Sequence, residues 1–225
     1  MKIKELALFT NQLDTAKKFY SKLLGVKIIE DKPDRFTLKI GWSKLTFLKS
    51  NEDYKYHYCF LIPSNKFIEA LSFMEEKVDL IDIDKGRKTQ RFETWNADSF
   101  YFYDGSGNVA EFIVRHDLKN QSSHSFSFED VICVNEIGLP TSSIEDTNTI
   151  LKKELNSDFW KGDTKHFGTN GTQEGLFLLP NYKTRTNWFP TELTITPSPF
   201  KAAIENNNSL YDFDFFNEDI TVKKR

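Results

Sequence analysis

Residues Ser99–Arg115 read SFYFYDGSGNVAEFIVR, and the fold is decided in this stretch. An aromatic run, Ser99 to Tyr103, leads into Asp104-Gly-Ser-Gly-Asn108 and then into the apolar run Val109 to Val114. Glycine and asparagine accept the backbone angles of a tight turn, so the stretch reads as strand, turn, strand. Glu111 is the one polar residue inside the second strand. A carboxylate there has to be paired, hydrogen-bonded or bound to a cation, unless its face is open to water.

The chain around this hairpin has 225 residues, 39% hydrophobic and 28% charged, enough to bury a core. Its 21 Phe and 8 Tyr favour sheet. A net charge of -3 provides no field to draw nucleic acid or an anionic membrane. There is no 18-residue apolar run and no apolar leader at the N-terminus. Cys59 and Cys133 are too few for a disulfide framework. The expectation is a soluble cytoplasmic protein with reduced thiols, with neither nucleic acid nor membrane as partner.

Working outward, the hairpin closes a unit. Tyr56–Ile62 is a strand, Ser64 precedes a helix bearing Phe67, Ile68, Leu71 and Met74, and Asp79–Asp84 and Arg91–Trp95 are further strand candidates. The same β-α-β-β-β order stands upstream: Lys2–Phe9, a helix from Asp14 closed by Gly25, then strands Val26–Ile29, Arg35–Ile40 and Lys44–Leu48. It recurs from Val131, with a helix beginning near Ser142 or Ser143 and strands Asp158–Lys161, Lys165–Gly168 and Gly175–Leu179. Pro190–Thr196 opens like a fourth first strand, but Pro197 and Pro199 block a helix and Phe200–Phe216 alternates as a β-hairpin. The serine-rich Asp117–Ser127 reads as a linker. The expected organisation is paired modules over 1–117 (1–50 and 54–117), a linker over 118–129, and a third module plus a remnant fourth over 130–225.

Four first strands fall in register: Glu5-Leu-Ala-Leu8, His57-Tyr-Cys-Phe60, Glu136-Ile-Gly-Leu139 and Glu192-Leu-Thr-Ile195. Strand alternation sends Leu6, Leu8, Tyr58, Phe60, Ile137 and Leu139 to one face, toward the helices. The polar residue and the small one, Ala7, Cys59, Gly138 or Thr194, share the other. That face suits a lined cavity, or simply the wet end of each sheet, and the second reading is preferred for Glu136 and Glu192.

KIKELALFTNQLDTAKKFYSKLLG, YHYCFLIP and FYFYDGSGNVAEFIVR together resemble the vicinal oxygen chelate superfamily of glyoxalase I, extradiol dioxygenases and bleomycin-resistance proteins. Gly105 stands where that hairpin usually has proline. The resemblance implies an α+β fold of tandem βαβββ modules whose paired sheets form a cup, with a degenerate fourth module here. It also implies a divalent metal, Fe, Mn, Ni or Zn, held from first and last strands. Carried onto this chain, the ligands are Glu5, His57 and Glu111, while Thr46 departs from the pattern. Glu5 and Glu111 would also serve as catalytic bases. In the other half Leu176 cannot ligate, which assigns the metal to residues 1–117. Thr46, Cys59, Arg115 and Trp95 are the candidate pocket residues, with Arg115 available for an anionic substrate group or a salt bridge.

Three functions follow from the resemblance. The first is a metal-dependent lyase, isomerase or dioxygenase acting on a chelating substrate. The second is a metal-free protein of the bleomycin-resistance kind that binds a small-molecule ligand, and the third is a partner-binding structural protein. Monomer and homodimer both stay open: internal module pairing removes one reason to dimerise, whereas an incomplete fourth unit leaves a sheet edge.

Overall fold

A computed structural model describes residues 1–225. The first module comprises β1 (Lys2–Thr10), α1 (Leu13–Lys18) continued by a π-helical turn at Phe19–Leu23, β2 (Ile28–Lys32), β3 (Arg35–Ile40) and β4 (Ser43–Lys49). The second comprises β5 (His57–Leu61), α2 (Phe67–Glu75), β6 (Thr89–Phe92), β7 (Ala97–Tyr103) and β8 (Val109–Arg115). The third has β9 (Cys133–Gly138), α3 (Ile144–Leu155), β10 (Phe159–Gly162), β11 (Phe167–Thr172) and β12 (Gly175–Pro180). The remnant has β13 (Phe200–Asn206), β14 (Ser209–Phe216) and β15 (Asp219–Lys224), and no helix. The fold is α+β, as expected. Local rules set its boundaries. The Ser143 hydroxyl accepts from the Asp146 amide at the start of α3, and Asn156 ends that helix at a φ of 50°.

The strands form two sheets, ordered β15-β14-β13-β1-β4-β3-β2 and β10-β11-β12-β9-β5-β8-β7-β6. The first module therefore pairs with the remnant, through antiparallel β1 and β13, and the second pairs with the third, through antiparallel β5 and β9. This corrects the expectation that 1–50 and 54–117 share a cup. One hydrophobic core runs through all four modules between the sheets. Leu6, Leu8, Tyr58, Phe60, Ile137 and Leu139 all lie in it, as strand alternation requires.

Segment 118–129 is docked and does not act as a spacer. Phe126 is buried in that core, as is Phe128 beyond it, and Ser127 and Asp130 form a reciprocal capping box. Asp79–Asp84 makes only isolated bridges, Leu80 to Phe102 and Asp84 to Arg87. The first strand of the remnant is Phe200–Asn206. Glu192–Ile195 lies instead in the segment leading to it, and Glu192 accepts from Asn187 Nδ2 at 2.8 Å.

The π-helical turn after α1 joins the sheets. The Tyr20 ring stacks on Phe47 of the first sheet at 5.5 Å, and its hydroxyl reaches Asp104 in the β7–β8 turn of the second at 3.3 Å. A side chain on Gly105 would stand 2.6 Å from both Phe19 Cβ and the Thr15 carbonyl, so helix contact excludes any larger residue there. The turn's positive φ falls on Gly107, at 74°.

A candidate metal centre in the second sheet

Register places one row of residues across the second sheet: Leu176, Glu136, Cys59, Glu111 and Tyr101, on β12, β9, β5, β8 and β7. Neighbours in register point to the same face. His57 is two residues before Cys59 and shares that face. Within this row and its neighbour, ligand atoms of His57, Glu111 and Glu136 all lie within 4.8 Å of one another. All three residues are buried.

His57 is oriented through its own backbone surroundings. Its Nδ1 lies 3.1 Å from the Val109 carbonyl, which can only accept, so Nδ1 donates and Nε2 faces the cluster. Nε2 stands 3.3 Å from Glu111 Oε2. Glu136 accepts from Arg115 Nη2, and Arg115 Nε donates to Asn135 Oδ1 at 3.0 Å. Burial pushes the Glu136 carboxyl up to about 7, with Arg115 pulling it back down and Glu111 adding to the rise.

Arg115 itself is fully buried. Its guanidinium lies 5.6 Å from the Trp95 ring and 5.4 Å from Trp160. These tryptophans come from opposite ends of the eight-stranded sheet, yet their centroids are 5.3 Å apart. Contact between the two ends means the sheet is curled into a cup, closed beside the carboxylates.

The cup encloses a cavity of about 370 Å³. His57, Glu111 and Glu136 line it together with Trp95, Tyr101, Phe92 and Leu178. Arg185, Trp188 and Phe189 come from the irregular segment between β12 and β13. That segment leads into the remnant's first strand and lies over the cup. The Trp188 ring fills the room left by Gly138, where any side chain would collide with it, and packs 5.2 Å from His57.

The expected site residues divide between the two sheets. His57, Glu111 and Trp95 meet at the cavity, and Arg115 lies behind it. Cys59 sits in the row between the two glutamates but packs with Leu61, Ala97, Ile113 and Cys133, and burial raises its thiol far above the ordinary range. Glu5 is on the first sheet, half exposed, 3.2 Å from Lys44 Nζ and 3.6 Å from Arg225 Nη2. Thr46 lies in the same groove and shares a 2.9 Å hydrogen bond with Thr37. Module pairing thus separates Glu5 and Thr46 from His57 and Glu111 and brings Glu136 in. Sequence reasoning set Glu136 aside as the wet end of a sheet and passed over Trp160, Trp188 and Arg185. The signals for Glu136 were its shared frame with Glu5 and His57, and a buried arginine at the end of β8 that needed a partner.

Residues 2–112 match the model of the Glyoxalase/Bleomycin resistance protein/Dioxygenase superfamily. No curated protein sequence matches the chain. Among solved structures, a putative dioxygenase from Bacillus subtilis subsp. subtilis strain 168 aligns over 100% of this chain and 84% of its own, at 11% identity and a TM-score of 0.64. A glyoxalase I variant from Zea mays aligns over 79% of this chain and 66% of its own, at 12% identity and a TM-score of 0.52. A glyoxalase/bleomycin resistance protein/dioxygenase from Alicyclobacillus acidocaldarius aligns over 52% of this chain and 92% of its own, at 25% identity and a TM-score of 0.43. The first two likenesses show a shared fold.

Proposed function

Starting from a chain whose residues 2–112 belong to the Glyoxalase/Bleomycin resistance protein/Dioxygenase superfamily, we propose that its cup binds a divalent metal through His57, Glu111 and Glu136, with a small chelating substrate. The observation that carries this reading is the convergence of one imidazole and two carboxylates, all buried, from three adjacent strands. The donor set suits Fe(II), Mn(II), Zn(II) or Ni(II). Two carboxylates against one divalent charge, with Arg115 tied to Glu136, leave the site without a large net charge to bury. Three protein donors leave room for substrate oxygens. A metal held there would supply Lewis acidity to the substrate oxygens it chelates.

The protein's own groups do the rest. Val109 and Arg115 hold the imidazole and Glu136 in place. Trp95, Tyr101, Trp188 and Phe189 keep water off one side of the substrate. Glu111, which has His57 beside it and no cationic partner, is the carboxylate available to take a proton from a bound substrate.

A second reading, metal-free binding, draws on the same contacts: each glutamate already has a cationic or imidazole partner, and Leu176, beside Glu136 in the row, offers no ligand atom. Elemental analysis and Zn(II) calorimetry on untagged protein separate the two. The expected result is one metal per chain in the parent, lost in His57→Ala and in Glu136→Gln but kept in Glu5→Gln. A parent that binds none of the four metals overturns the metal reading. Loss in Glu5→Gln overturns the assignment of the ligands.

A further inference from the structure

Arg185 is the cationic side chain that lines the cavity. Its guanidinium is stacked over Phe167, 5.2 Å from the ring centroid, and this fixes where the charge lies. Unlike Arg35, Arg91, Arg115 and Arg225, it has no carboxylate within ion-pair distance and no side-chain hydrogen bond. Partial burial lowers its affinity for the proton, with only the Tyr101 hydroxyl opposing. A half-buried guanidinium facing an aromatic cavity without a counter-ion has lost water and gained no partner. The other walls, Phe92, Trp95, Tyr101, Trp188 and Phe189, suit a flat apolar body. A volume of about 370 Å³ admits a single-ring molecule with a short side chain.

We propose that Arg185 is a specificity-determining residue, and that the cup takes an aromatic or aryl-alkyl acid whose carboxylate is received by this guanidinium. The proposal rests on the small-molecule reading of the cup and is independent of the metal. Arg185 lies on the irregular segment between β12 and β13, so a stretch outside the repeated modules supplies the cup with its anion receptor.

The test compares 3-phenylpropionate with its neutral isostere 3-phenylpropanamide, by ligand-observed NMR titration and tryptophan fluorescence. Parent, Arg185→Gln and Arg185→Lys proteins are used, all with EDTA so that no metal competes for the carboxylate. The parent is expected to prefer the acid by about 10- to 100-fold, the range of a charge-assisted hydrogen bond in a partly dry site. Arg185→Gln erases the preference and Arg185→Lys retains part of it, with the amide bound equally by all three. Equal preference in parent and Arg185→Gln, no preference in the parent, or no binding of either compound overturns the proposal. Zn(II) calorimetry on the same proteins after removal of EDTA reports the metal site separately, so failure of one reading does not pass for failure of the other.

Discussion

Arg115 shows most directly how single residues hold this site. It is fully buried, and its charge is met by Glu136, Asn135 and two tryptophan faces. Removing one partner of such a pair strands the other. Arg115→Met is expected to cost about 3–5 kcal/mol in urea unfolding at neutral pH, and adding Glu136→Leu is expected to restore much of it. Recovery that fails to appear would mean that the pair is not the source of the loss. Asp104 belongs to the same class. Its Oδ1 accepts from the Ser106 and Asn108 amides at 2.8 and 2.9 Å, and its Oδ2 from Tyr58 at 2.6 Å. Asp104→Ala leaves several buried donors unmet, an expected loss of about 3–5 kcal/mol by the same measurement. The pH dependence of metal uptake has a definite sign. Glu136 is raised to about 7, so below that pH the proton has to leave before a metal enters. Zn(II) affinity is therefore expected to fall as pH drops from about 8 to about 6, with proton release visible when calorimetry is repeated in buffers of different ionisation heat.

At the scale of elements, strand periodicity was legible and strand partnership was not. The alternation in Leu6–Leu8, Tyr58–Phe60 and Ile137–Leu139 gave the core face, because alternation is a local property. The hairpin at Asp104, the three helices and the absence of a fourth were equally local. The pairing of β5 with β9 joins residues far apart in sequence, such as Cys59 and Glu136, 77 positions apart, and nothing in either strand alone names the other. Glu136 therefore read as a wet end and Glu5 as a ligand, although only partnership distinguishes them. The segment between β12 and β13 has no periodicity, so Arg185 and Trp188 gave no signal beyond their residue types. Its seat is testable. Gly138→Ala drives a methyl group into the Trp188 ring, and overpacking of this kind costs about 1–3 kcal/mol. The expected readout is a red-shifted tryptophan emission together with weakened ligand binding. An unchanged spectrum and unchanged binding would mean that Trp188 does not depend on that glycine.

At the scale of the whole molecule, the two sheets carry unequal versions of one plan. The cup of the second sheet is apolar, aromatic and buried around its carboxylates. The corresponding groove of the first sheet is lined by charged residues, among which Lys201 pairs with Asp214, Arg225 with Glu5 and Asp212, and Glu5 with Lys44. The fold was legible because its modules repeat; the difference between its two cups was not, because it arises from which copies face each other. No helix is long and apolar enough to cross a membrane. The β5–β9 seam has one more consequence. Both halves of the cup are drawn from a single polypeptide, so they meet at an effective concentration set by the chain itself and not by how much protein is present. Dilution cannot pull them apart: metal affinity measured at nanomolar protein should equal that at micromolar, whereas a cup assembled between chains would release its ion as the solution thins.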